Sequence, residues 1–140
     1  MKNTSFVSII TVNYKQAEVT NQLLASLQQL TWPEIEIIVV DNNSGAESLD
    51  RINSYSNTRL IKNTQNLGFA GGCNTGMRAS GAPWQLLLNN DTEVEPGCIE
   101  PLIKQLEDNP RVAAVQPRIC SIPHAGYLDY AGAAGGMLDR

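Results

Sequence analysis

The residues best suited to chemistry follow a run of leucines, in the stretch "LLLNNDTEVEPG". Residues 86–88 indicate a buried strand, and Asn89, Asn90 and Asp91 come directly after it. An oxygen-rich strand end of this kind suits Mg²⁺ or Mn²⁺, which take one or two carboxylates and leave the rest of their shell to phosphates and water. The same residues also fit a type I turn, so the local pattern leaves turn and metal site open.

Three more polar segments carry groups that could contact a nucleotide. Tyr14 offers a ring face on which a base could stack, or it is a half-buried residue where a helix begins. Asp41, in "DNNSG", could accept a hydrogen bond from the N–H edge of a base, or the segment could be an Asx turn that caps the next helix. The glycines from Gly68 to Gly76 could let the backbone approach a phosphate at the start of a helix, or they form a flexible connection.

Alternating strands and helices would position these segments. Nearly continuous β-branched and apolar runs predict buried strands, and apolar residues at helical spacing predict the helices between them. The predicted strands span residues 5–12, 35–40, 58–61, 84–88 and 112–115, and the predicted helices span residues 16–30, 47–54, 71–79 and about 99–106, before Asn109-Pro110. This alternation indicates an α/β fold with a mostly parallel central sheet and helices on both faces.

The polar segments all lie on one side of this predicted sheet. In a parallel sheet the carboxyl ends of the strands meet at one edge, and ligands bind in the crevice outside it. The segments at 13–15, 41–45, 62–72 and 89–91 each follow a predicted strand, whereas the opposite connections, "TWPE", "SNT", "SGAP" and "DNP", are short turn sequences. The sequence therefore predicts one ligand site at the carboxyl edge.

Length and composition limit the remaining classes of protein. The 140 residues predict a single domain, with residues 121–140 as a loop-like tail. A net charge of -4 argues against nucleic acid as a partner. Three widely spaced cysteines and one histidine match no zinc site. No apolar run approaches the roughly 20 residues that span a bilayer.

Four stretches together resemble a known family. "VSIITVNYK", "IEIIVVDNNSG", "NLGFAGGCNTG" and "LLLNNDTEVEPG" occur in this order and spacing within roughly the first 115 of the 140 residues. They resemble glycosyltransferase family 2, whose members have the GT-A fold and use nucleotide-sugar donors. The "VNY", "DNNS" and "LNNDT" forms look most like the bacterial rhamnosyltransferase-like branch.

The resemblance implies a role for each matching position. Tyr14 would line the base pocket, and Asp41 would bind the N–H of the base ring. Asp91 matches the second acid of the D-x-D motif, which holds a divalent metal, Mg²⁺ or Mn²⁺, and the donor diphosphate. Asn89 stands where that motif has its first acid, and it is the second metal candidate. The remaining nucleotide-binding candidates are Asn43, Asn66, Gly68, Asn74 and Asn90.

The resemblance also implies a reaction. A sugar would pass with inversion from a UDP- or dTDP-sugar to a hydroxyl of a carbohydrate or lipid-linked saccharide acceptor, in bacterial cell-surface polysaccharide synthesis. Such a protein is expected in the cytoplasm, at most peripheral to the inner face of the membrane. The catalytic base is expected beyond residue 140, which makes the chain an amino-terminal fragment. The alternative is a non-catalytic nucleotide-binding fragment that self-associates as a homodimer.

Overall fold

A computed structural model describes residues 6–46, 49–124 and 127–130. The chain divides into two compact units, Met1–Gly97 and Cys98–Arg140, and the single domain predicted over residues 1–140 stays a prediction. The elements, in chain order, are β1 (Val7–Asn13), α1 (Ala17–Leu27), β2 (Ile35–Asp41), a 3₁₀ turn (Ile52–Ser54), β3 (Thr58–Lys62), α2 (Gly68–Ala79), β4 (Trp84–Leu88), α3 (Ile99–Asp108), β5 (Ile119–Cys120) and β6 (Leu128–Tyr130).

The first unit contains a four-stranded sheet in the order β3-β2-β1-β4. Every neighbouring pair in it is parallel, which confirms the predicted parallel α/β sheet. The central strands β1 and β2 are covered on both faces, so Ile9, Ile10, Ile38 and Val40 are each 0% exposed. This burial explains why both strands consist of nearly continuous apolar residues instead of alternating apolar and polar ones.

The helices lie on opposite faces of the sheet, as predicted. Side chains alternate along a strand, so Ile10 and Asn13 belong to different faces of β1. A Cβ added at Gly76 in α2 would meet the Ile10 side chain, which places α2 on the Ile10 face. On the other face, Thr20 in α1 donates a hydrogen bond of 2.8 Å to Asn13 Oδ1.

Three helix boundaries differ from the sequence prediction. Helix α1 ends at Leu27 and not at residue 30, because the N–H groups of Gln29 and Leu30 bond three residues back and tighten the chain. Helix α2 begins at Gly68, three residues early, where the Asn66 side chain accepts the first N–H. Of the predicted helix at 47–54, residues 47–48 lie outside the described residues, and the regular part is only the 3₁₀ turn Ile52–Ser54.

The second unit contains α3 and a small antiparallel pair, β5 with β6. Helix α3 confirms the helix predicted before Asn109. The strand predicted at 112–115 is wrong: this segment pairs with no strand among the described residues, and Pro117, which lacks an N–H, follows it closely. Strand β6 lies inside the tail predicted to be loop-like, so residues 128–130 correct that prediction, and residues 131–140 lie outside the described ranges.

No helix within the described ranges is both long enough and apolar enough to cross a membrane.

Candidate functional site

The carboxyl ends of the strands bring the predicted segments together at one edge of the sheet. Asn13, the last residue of β1, is level with Asp41, the last residue of β2, and Asp41 is level with Lys62 at the end of β3. Leu88 at the end of β4 is level with Thr11, so the polar turn that follows β4 starts beside the end of β1. The parallel register therefore places the predicted polar segments along this one edge.

Asp41 is buried and is held by three hydrogen bonds. Its Oδ1 accepts Asn13 Nδ2 at 2.9 Å and also the Ser44 hydroxyl, and its Oδ2 accepts the Ser44 backbone N–H at 3.1 Å. A carboxylate has about four lone-pair positions, and these bonds use three of those on Asp41. Asp41 can therefore both shape the predicted turn and serve as the predicted hydrogen-bond acceptor. The position left on Oδ2 could accept the N–H of a base.

The surroundings of Asp41 keep it ionised. Burial raises the pKa of this carboxyl, but the hydrogen bonds from Ser44 and Asn13 and the charge of Lys62 outweigh burial, so the pKa lies below its ordinary value. An ionised carboxylate is an acceptor only. Asp41 therefore has the charge state that a base N–H requires.

Tyr14 follows β1 at this edge and is 41% exposed. The Lys15 ammonium is 5.1 Å from the ring centroid. Hydrogen bonds with Lys15 and Asn66, together with the positive charge of Lys15, lower the pKa of the Tyr14 hydroxyl. Lys15 has a φ of 56°, and its N–H donates to Ser44 Oγ at 2.9 Å, so the Asp41 turn also holds the backbone next to Tyr14.

The start of α2 is fastened to the same edge by side-chain amides. Asn66 Oδ1 accepts the Gly68 N–H at 2.8 Å, and Asn42 Nδ2 donates to the Gly68 carbonyl at 2.8 Å. Asn63 Nδ2 in turn donates to Asn42 Oδ1 at 2.8 Å. A Cβ added at Gly72 would lie 2.8 and 2.9 Å from the methyl groups of Val12, so only glycine lets α2 approach β1 this closely.

The turn after β4 separates its three polar residues. Asn90 Nδ2 points to α1 and donates to Gln16 Oε1 at 3.3 Å and to Thr20 Oγ1 at 3.2 Å. Asn89 and Asp91, on either side of it, are exposed. The Thr92 N–H bonds the Asn89 carbonyl at 3.3 Å, so this segment is a turn as well as a candidate metal site.

The donor set of this turn fits a metal that is shared with a ligand. The described residues contain no group of three or more His, Cys, Asp or Glu side chains that could enclose an ion. Asp91 and Asn89 are exposed residues, and their carboxylate and amide oxygens are hard donors. Mg²⁺ is commonly bound by one or two carboxylates, with phosphates and water completing its shell, so this set suits a metal that arrives with a diphosphate.

The predicted candidates are thus distributed unevenly. Hydrogen bonds link Asn66 to both Tyr14 and Gly68, and Asp41 at the same edge is level with Asn13, the residue before Tyr14. Asn43, with a φ of 63°, and Asn74, on α2, are exposed. The sequence analysis missed the residues that hold the site together, which are Asn13, Thr20, Asn42, Ser44 and Gly72.

One available signal could have identified Asn13. It is a polar residue at the end of an otherwise apolar strand, and a buried amide needs partners for its donor and acceptor groups. Thr20 gave no such signal, because a threonine on an amphipathic helix is unremarkable in sequence.

The comparison with protein families decides the identity of the chain. The profile of the family described as "Glycosyl transferase family 2" matches residues 8–128. The chain belongs to this family. It is 32% identical, over 86% of its length, to an uncharacterized glycosyltransferase of Haemophilus influenzae, of which it covers 42%. It is 26% identical, over 83% of its length, to the N-acetylglucosaminyl-diphospho-decaprenol L-rhamnosyltransferase of Mycobacterium tuberculosis, of which it also covers 42%. This family 2 chain thus spans about two-fifths of the length of these curated relatives.

Solved structures establish the fold of this family 2 member. Residues 1–349 of Staphylococcus aureus TarS in complex with UDP superpose with a TM-score of 0.66 at 21% identity, and the match covers 74% of this chain and 32% of that TarS fragment. The mannosyltransferase PcManGT of Pyrobaculum calidifontis, in complex with GDP-Man and Mn²⁺, gives a TM-score of 0.66 at 18% identity, covering 81% of this chain and 33% of PcManGT. The fold is therefore of the GT-A type, as predicted.

Proposed function

We propose that the chain is the part of a glycosyltransferase that binds a nucleotide-diphospho-sugar donor together with a divalent metal. The observation that carries this proposal is the arrangement of three different groups along one sheet edge. These are the exposed ring of Tyr14, the buried ionised carboxylate of Asp41 and the exposed carboxylate of Asp91. They correspond to the base, its N–H edge and the metal-bound diphosphate of one ligand.

Each group would then perform one task. Tyr14 stacks on the base, Asp41 Oδ2 accepts the ring N–H, and the start of α2 places backbone groups along the ribose and phosphates. Asp91, with Asn89 beside it, holds the metal, Mg²⁺ or Mn²⁺. When bound, that metal stabilises negative charge on the departing nucleoside diphosphate. Asn43, Asn74 and Asn90 stay predicted nucleotide contacts.

The donor class is supported by the likeness to structures that contain UDP and GDP-Man with Mn²⁺. The bases of UDP and dTDP share the ring N–H that a carboxylate acceptor recognises. We therefore propose UDP and dTDP as the two candidate nucleotides of the donor. The relative in Mycobacterium tuberculosis is named for a lipid-diphosphate acceptor, and we propose an acceptor of that kind, a lipid-linked or other saccharide.

The inverting course, the cytoplasmic location at the inner face of the membrane and a role in cell-surface polysaccharide synthesis belong to the same proposal. A carboxylate would act as the catalytic base and deprotonate the acceptor hydroxyl. The resemblance assigns this role to none of the candidate residues named above. The alternative of a non-catalytic, self-associating nucleotide-binding fragment stays a second prediction, which light scattering with and without UDP tests directly.

Calorimetry with UDP and dTDP, with and without Mn²⁺, tests the binding function. We expect the unchanged chain to bind one of these diphosphates more tightly with Mn²⁺. In Asp91→Ala the Mn²⁺ enhancement should fall by about tenfold or more, which is ~1.4 kcal/mol. Glu93→Ala is the matched control, because Glu93 is an exposed carboxylate two positions further along the chain, and it should keep the enhancement. Absence of binding would refute the proposal, and an Mn²⁺ effect unchanged in Asp91→Ala would refute the metal site.

A further inference from the structure

The hydroxyl of Thr20 lies between the two ends of the candidate site. Thr20 is in the first turns of α1 and is 0% exposed. Its Oγ1 donates to Asn13 Oδ1 at 2.8 Å and accepts Asn90 Nδ2 at 3.2 Å. One buried hydroxyl therefore joins the end of β1 to the turn that carries Asp91.

The hydrogen bonds continue from Asn13 to the base-binding side. Asn13 is also 0% exposed, and its Nδ2 donates to Asp41 Oδ1 at 2.9 Å and to Ser44 Oγ at 3.1 Å. Because Thr20 occupies the amide oxygen of Asn13, the amide nitrogen is directed towards Asp41. The bonds thus form one chain, from Asn90 through Thr20 and Asn13 to Asp41.

The direction of these bonds has a consequence for both ends. With Oδ1 of Asp41 fixed by Asn13, Oδ2 is the oxygen with a lone pair left for a base N–H. The amide of Asn90 is fixed on α1, and the neighbouring Asp91 is exposed. Buried polar networks are strongly interdependent, since leaving one member unpaired in a medium of low polarity is costly.

We infer that Thr20 is a positioning residue that aligns the base-binding carboxylate Asp41 with the metal-binding turn at Asp91. This inference rests on the proposed function. Thr20 lies inside α1 and is remote in sequence from both Asp41 and Asp91. By this inference it affects two quantities at once: the affinity for the nucleoside, and the factor by which the metal increases the affinity for the nucleotide.

Thr20→Val removes the hydroxyl and keeps the shape of the side chain. Two quantities are measured on the full chain by calorimetry: the affinity for the nucleoside alone, uridine or thymidine, and the ratio of UDP or dTDP affinities with and without Mn²⁺. The nucleoside carries no phosphate, so its affinity reports on the Asp41 side, and the ratio reports on the Asp91 side. Since a hydrogen bond contributes modestly, we expect Thr20→Val to lower each quantity by about fivefold.

Two control variants distinguish positioning from a general loosening of α1. Thr20→Ser keeps the hydroxyl and should restore both quantities to within about twofold of the unchanged chain. Ser26→Ala removes another hydroxyl of the same helix, one that donates to the Leu23 carbonyl at 2.8 Å and accepts the Val94 N–H at 3.3 Å. It should change thermal stability without changing either binding quantity.

If Thr20→Val does not fold, Asn90→Ala cuts the network on the Asp91 side only, and Asn90 is half-buried. It should lose more of the Mn²⁺ ratio than of the nucleoside affinity, and an unchanged ratio would overturn the inference. A Thr20→Val chain that melts earlier but keeps both quantities would overturn it too, as would a Thr20→Ser chain as weak as Thr20→Val. If the unchanged chain binds no nucleoside or diphosphate, the proposed function itself fails and the positioning role fails with it.

Discussion

Gly72 is the position where the packing of α2 and the geometry of the site depend on the same few atoms. A Cβ at this position would lie 2.8 Å from Val12 Cγ1, 2.9 Å from Val12 Cγ2 and 3.1 Å from Asn42 Nδ2. Val12 belongs to the central strand β1, and Asn42 is 2% exposed, so neither side chain can move away freely. Gly72→Ala should therefore push α2 away from the sheet.

The expected cost can be estimated from three contributions. Overpacking a well-packed core costs about 1–3 kcal/mol. Disturbing the 2.8 Å hydrogen bond from Asn42 to the Gly68 carbonyl costs about 1 kcal/mol more. The better helix propensity of alanine stabilises α2 by about 1 kcal/mol and offsets this loss. The net loss of unfolding free energy is about 2 kcal/mol. For a chain of 140 residues this lowers Tm by about 6–8 °C.

Urea denaturation and thermal melts of four variants measure this effect. Gly81→Ala is the control, because a Cβ at Gly81 would meet nothing within 4 Å, and its stability should be unchanged or slightly higher. Val12→Ala removes the methyl groups that obstruct the new side chain. The double variant Val12→Ala with Gly72→Ala should therefore be more stable than the sum of the two single changes predicts. A Tm of Gly72→Ala equal to or above that of the unchanged chain, or strict additivity in the double variant, would refute the reasoning.

Two further predictions concern the base-binding end of the site. Asp41 has a folded pKa below its ordinary value, so its contribution to stability is complete above that value and is lost as pH falls through the folded pKa. Asp41→Asn should lower the free energy of unfolding by about 1–3 kcal/mol at neutral pH, and it should reduce the further loss of stability below about pH 4. Urea midpoints measured across pH test this, and an unchanged acid dependence would contradict it. Tyr14→Ala should weaken nucleoside binding by about tenfold, whereas Tyr14→Phe keeps the stacking ring and most of the affinity. Because Tyr14 is 41% exposed, thermal melts should change little, and equal nucleoside affinities for the alanine and phenylalanine variants would count against stacking.

The sequence was most informative where a local pattern and the fold require the same thing. The continuous apolar runs of β1 and β2 predicted strands covered on both faces, and both strands are central. Helix ends were predicted less accurately, because side-chain bonds settle them, as Asn66 does where α2 begins. The strand expected at 112–115 failed because apolar, β-branched composition does not supply a neighbouring strand to pair with.

The candidate site divides in the same way. Tyr14, Asp41 and Asp91 could be chosen from the sequence because their chemistry is visible in their types and in their positions after strands. For Asn90, the residue type suggested a nucleotide contact, whereas its amide donates to Gln16, just before α1, and to Thr20 in α1. The direction of an amide depends on partners that are distant in sequence, and no local pattern specifies it.

The sequence by itself determined that this protein is a parallel α/β chain of glycosyltransferase family 2, with its polar groups at the carboxyl ends of the strands. Periodicity and residue type suffice for the α/β pattern, since each depends on neighbours only a few positions away, whereas the family was indicated by the resemblance of the four motifs. Only the tertiary structure decided the strand order and the bonds from Asn90 through Thr20 and Asn13 to Asp41. Those bonds join residues up to 70 positions apart, and burial makes them obligatory once the sheet and helices have packed.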